Sequence, residues 1–139
     1  MRILVDSNVF LDFLLGREGA DDAELFFINC QKFRMKTYVS AMSIRDIGYI
    51  AHRFFHSEEM ARKIQFETYQ VCTKVIDITA DDAINSLHEE TGDYEDSLLV
   101  NAARSSMIDI IVTNNTKHFK KYDFPCISVI EINKIFAGL

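Results

Sequence analysis

The stretch "DYEDSLLVNAARSSMIDIIVTNNTKHF", residues 93–119, carries the signals that decide the fold class. Its first part, "EDSLLVNAARSS" at 95–106, is apolar over much of a helical circumference, which predicts a buried helix. Its second part, "DIIVT" at 109–113, is apolar on both faces, as parallel strands covered by helices are. Acids open the helix and two asparagines follow the strand.

Outward from this stretch the same alternation recurs. "RILVD" (2–6), "TYVS" (37–40), "KVIDI" (74–78) and "CISV" (126–129) read as further strands. Helices are predicted at 9–15, stopping at Gly16, and at 21–33, 43–55, 57–72 and 130–138. Another is predicted at 79–90, with Thr79 as its N-cap. Strands alternating with helices indicate an α/β domain with a mainly parallel sheet. No repeat, linker or low-complexity tract interrupts residues 1–139, so one domain is expected.

The chain has 139 residues, 48% hydrophobic and 26% charged, in the ordinary range for a soluble globular protein. No apolar run approaches the roughly 20 residues that span a bilayer. "MRILVDSN" lacks the apolar length of a signal peptide. Cys30, Cys72 and Cys126 form no CxxC pair, which suggests reduced thiols and a cytoplasmic location. The formal net charge of −6 gives no broad phosphate-binding surface, so handling nucleic acid requires a bound divalent metal or a basic partner.

In parallel α/β sheets ligands bind beyond the carboxyl ends of the strands. Asp6 closes the first strand, Asp46 lies in the helix after the second, and Asp93 and Asp96 open the helix before the fourth. Asn114 and Asn115 follow the fourth strand. Carboxylates gathered at one sheet edge repel one another unless a cation sits between them, and oxygen ligands favour Mg²⁺ or Mn²⁺ over zinc. Each acid also has an ordinary explanation. Asp6 is suited to cap the next helix, and Ser43–Asp46 and Asp93–Asp96 both look like capping boxes. Asp12, Asp21, Asp22, Asp81 and Asp82 are read as helix starts or solvated faces. The signal is joint placement.

These segments resemble the PIN domain family, nucleases that include the VapC toxins of bacterial and archaeal toxin–antitoxin pairs. The resemblance rests on "ILVDSNVFLDFLL", "VSAMSIRDIGYI" and the 93–119 stretch. It implies a three-layer α/β/α sandwich with a five-stranded sheet of order 3-2-1-4-5. Asp6, Asp46 and Asp96 match the family's first three acids and are the implied catalytic and metal-binding residues. The second is more often Glu in the family. Asp93 matches an auxiliary acid. The fourth acidic position falls on Asn115, a departure that weakens the second metal position. Ser7, Asn8 and Thr113 match supporting positions. The implied activity is Mg²⁺- or Mn²⁺-dependent hydrolysis of RNA phosphodiesters, with a protein antitoxin as partner and a homodimer as assembly.

Other readings are weaker. A haloacid-dehalogenase-type phosphatase needs an Asp where Asn8 stands, and a receiver domain needs an acidic pair that is absent. No glycine-rich nucleotide motif is present. His52 and His56 read as a surface or interface pair, and His118 as a loop histidine. Arg45 and Lys117 are candidate substrate-phosphate contacts. Glu95 is expected to face away, and Phe54, Phe55 and Phe66 read as core or as a dimerising hairpin. The main alternative function is a catalytically silent RNA- or protein-binding scaffold; cleavage of DNA ranks below it.

Overall fold

The computed structural model describes residues Met1–Leu139. Five strands form one parallel sheet of order β3-β2-β1-β4-β5. They are β1 Arg2–Val5, β2 Lys36–Ser40, β3 Lys74–Ile76, β4 Ile110–Val112 and β5 Cys126–Ile127. The helices are α1 Ser7–Leu15, α2 Ala20–Lys32, α3 Ala41–Phe55, α4 Glu58–Val71, α5 Ala80–His88, α6 Tyr94–Ser105, α7 Thr116–Phe119 and α8 Val129–Ala137. None is long and apolar enough to cross a membrane.

The period of two in β1 divides the core. Ile3 and Val5 pack into one cluster with Phe10, Phe26, Ile47 and Ile132, while Leu4 packs into the other with Leu99, Val100, Ala103 and Ile111. Helices α1, α2, α3, α4 and α8 thus cover one face and α6 covers the other, the three layers that the family resemblance implies. Helix α5 lies against α6 through polar contacts: Asn101 Nδ2 donates to Ser86 Oγ at 2.9 Å, and Ser105 donates to Asp82.

Several boundaries depart from the sequence reading. Helix α3 starts at Ala41, because Ser40 at the end of β2 is its N-cap and accepts the Ser43 amide. The expected Ser43–Asp46 capping box does not form, and Asp46 sits in the second turn. Asp82 is buried, completing a capping box with Thr79. Asp12 is also mostly shielded, bonded by Arg17 and Asn114, and is no solvated acid. Phe54 and Phe66 are exposed on the α3–α4 hairpin, outside the core. Helix α7 has no counterpart among the helices expected from sequence.

Candidate active site

Beyond the carboxyl ends of β1 and β2 lies a cavity of about 490 Å³, walled by α1, α3, α6 and α7. Asp6, Asp46, Asp93 and Asp96 all line it, together with Asn115, Ser7, Asn8 and Arg45. The acids arrive from three segments far apart in sequence, each delivered by the same local device, a strand or loop that turns into a helix.

Asp6 follows β1 directly, and its amide donates to the Val112 carbonyl at 2.9 Å, extending the β1–β4 pairing. Its Oδ1 accepts the Ser7 amide at 2.8 Å, so it caps α1. Its Oδ2 accepts the Thr113 hydroxyl at 2.8 Å and the Asn8 side-chain amide at 3.3 Å. Burial raises the Asp6 pKa, the Thr113 and Ser7 bonds oppose the rise, and the Asp46 charge adds to it. Capping and presentation to the cavity are therefore done by one carboxylate.

Asp93 is the N-cap of α6, accepting the Asp96 amide on Oδ1 at 2.8 Å. Asp96, one turn in, faces the cavity. Burial and then the Asp93 charge push its pKa up to about 6, and the neighbouring His118 works the other way. His118 Nδ1 stands 3.7 Å from Asp96 Oδ2. Asp46 is held by Arg45 Nη1 at 3.2 Å. The Asn115 amide donates to Thr113 Oγ1 at 3.0 Å, and its side chain caps nothing. Thr113 thus joins Asp6 to Asn115 while remaining fully buried.

The donor set is chemically suited to a hard divalent cation, since every donor is oxygen and the charges otherwise repel. No three His, Cys, Asp or Glu side chains converge closely enough to hold an ion as they stand.

The family model described as "PIN domain" matches residues 2–117. The chain belongs to the PIN domain family. No curated protein matches its sequence. Among solved structures, PAE2754 from Pyrobaculum aerophilum is similar at TM-score 0.70 and 16% identity, over 100% of this chain and 91% of that one. VapBC2 from Rickettsia felis, bound to a DNA fragment from their promoter, is similar at TM-score 0.65 and 15% identity, over 92% and 98% of the two chains. VapC20 from Mycobacterium tuberculosis, a sarcin–ricin loop cleaving toxin, is similar at TM-score 0.60 and 13% identity, over 78% and 86%. At these identities the likeness is one of fold.

Within this PIN domain the cavity also holds residues not singled out from sequence. Arg17 lines it, with Nε 2.8 Å from Asp12 Oδ1. Asp12 Oδ2 accepts Asn114 Nδ2 at 2.6 Å, and the Asn114 amide donates to Asn8 Oδ1 at 3.3 Å. One network thereby pins the loop after β4 to α1. Arg17 follows the left-handed Gly16 cap of α1, which turns the chain back so that its guanidinium and amide both reach Asp12, a local contact that no sequence motif announces. Lys117 does not line the cavity, although α7 brings its neighbour His118 there. Glu95 sits at the rim of the cavity and is exposed, in keeping with its expected surface position.

Proposed function

We propose that this PIN domain, read as one domain over residues 1–139, is a divalent-metal-dependent endoribonuclease and the toxin of a toxin–antitoxin pair acting in the cytoplasm. The observation that carries the reading is the meeting of Asp6, Asp46, Asp93 and Asp96 in one cavity at the carboxyl ends of the strands. Asp6, Asp46 and Asp96, with Asp93 and Asn115 beside them, would hold Mg²⁺ or Mn²⁺ once drawn together by the ion, which would supply Lewis-acid activation of water and screening of phosphate charge. Thr113, Ser7 and Asn8 fix the Asp6 carboxylate so that little reorganisation accompanies reaction. Arg45 and Arg17 are the cavity's two arginines and are assigned to the RNA phosphates.

The test is RNA cleavage with Mg²⁺ or Mn²⁺. Asp96→Asn should lower the rate by on the order of 100-fold, a loss typical of removing one preorganised electrostatic group. In parallel, Mn²⁺ should raise the melting temperature of the wild type and not of Asp6→Asn. Undiminished cutting by Asp96→Asn rejects the site.

A silent binding scaffold is the second reading, favoured by Asn115, a neutral side chain at the cavity position where the resemblance implies a fourth acid. Absence of any Mn²⁺-induced thermal shift at millimolar metal selects it. For partners, the acidic cavity of a chain with net charge −6 suits a basic antitoxin segment. Several solved structures of similar fold are toxin–antitoxin complexes. A homodimer through the α3–α4 hairpin is supported by the exposed Tyr49, Phe54, Phe66 and Tyr69.

A further inference from the structure

The first turn of α6 carries Asp93 and Asp96, yet apolar packing holds this end of the helix least. Tyr94 and Glu95 are exposed, and the buried residues of α6 begin at Ser97. The loop leading in, 89–92, is also largely exposed. Two side chains reach the Thr91 carbonyl of this loop: Ser97 Oγ, from α6 itself, at 3.1 Å, and one from a distant part of the chain. Tyr122, buried in the turn between α7 and β5, donates to the Thr91 carbonyl at 2.8 Å and meets Ser97 Oγ at 2.7 Å. The Asp93 carbonyl lies at 3.5 Å from the same hydroxyl.

The loop is shaped to admit that hydroxyl. Gly92 has φ +68°, and a Cβ there would lie 2.3 Å from the Tyr122 oxygen. Only glycine gives both the left-handed backbone and the close approach. A tyrosine buried for packing alone needs one partner for its hydroxyl. Tyr122 instead donates its one proton to a carbonyl before the N-cap and also meets the first buried side chain of α6.

We propose that Tyr122 is a positioning residue, fixing the 91–93 loop and through it the aim of Asp93 and Asp96 into the cavity. The proposal rests on the nuclease reading, in which these carboxylates act together on one ion. Groups that orient ligands from behind commonly change metal affinity by 10–100-fold.

The test is Tyr122→Phe, which keeps the ring and removes the hydroxyl. Expected are a Mn²⁺ dissociation constant, read by electron paramagnetic resonance, about tenfold higher, and faster amide hydrogen exchange across 91–96 in the metal-free protein. The cleavage deficit should recover as Mn²⁺ is raised. If Tyr122→Phe melts lower but binds Mn²⁺ and exchanges as wild type does, the residue only stabilises the fold and the proposal is overturned. Should Tyr122→Phe not fold, Tyr122→Met takes its place, keeping an apolar side chain without a hydroxyl: weaker Mn²⁺ binding with exchange faster across 91–96 than elsewhere supports the proposal, and wild-type values of both overturn it. Failure of the nuclease reading looks different: wild type and Asp96→Asn then bind Mn²⁺ equally. The proposal falls with it, while the exchange change across 91–96 persists.

Discussion

Burial and the Asp93 charge move the Asp96 pKa from the usual 3.8 to about 6. A carboxyl whose pKa is raised on folding lends stability below its unfolded pKa and loses it as pH climbs through the folded one. Metal-free protein should therefore lose stability between about pH 4 and pH 6 on account of this group. Melting temperatures across that window should fall less in Asp96→Asn, and added Mn²⁺ should restore the wild type at neutral pH. Asn115→Asp makes the opposite change to the charge balance. It adds a carboxylate beside Asp6 and Asp96, so the metal-free melting temperature should drop while Mn²⁺ stabilisation and RNA cutting both rise. An equal or smaller response to Mn²⁺ in Asn115→Asp would show that Asn115 stands outside the ligand set.

Helix α3 brings Asp46 to the cavity, and its start depends on Ser40, whose fully buried hydroxyl accepts the Ser43 amide at 2.9 Å. Ser40→Ala should cost about 1 kcal/mol, a few degrees in melting temperature, and should weaken Mn²⁺ binding by fraying the turn before Asp46. Differential scanning fluorimetry with and without Mn²⁺ checks both. The strands are legible in sequence as short apolar runs, as in "RILVD" and "DIIVT", and the long helices by their apolar spacing. The strand order is not; it follows from resemblance. Helix α7, at Thr116–Phe119, is one turn long and shows no period to read. Ser40 is hidden as a cap because Ser43 offers a rival S-x-x-D pattern nearer the charged face. Asp82 is the helix-start acid the sequence suggests, in a capping box with Thr79, but its burial and its Ser105 partner are set by tertiary packing, as is the Asn114 partner of Asp12, and these leave little local trace. Asp6 and the Asp93–Asp96 pair are readable because capping and site roles use the same positions.

At the scale of the molecule, the α3–α4 hairpin leaves Phe54 and Phe66 more than half exposed. Replacing both with Ser should shift sedimentation towards a single chain if the hairpin is the dimer contact, while leaving the melting temperature nearly unchanged because neither packs in the core. The candidate site itself is assembled from both ends of the chain. Strand β1 lies between β2 and β4, and Asp6 takes its hydroxyl partner from Thr113, 107 residues away. An N-terminal fragment ending before β4 has Asp6, Asp46, Asp93 and Asp96 but lacks both the β4 edge of β1 and the Thr113 hydroxyl that fixes Asp6. Under the proposed activity, the order of synthesis then matters: the acids are all made before the strand that locks the first of them in place, so cutting has to wait for β4 to dock beside β1.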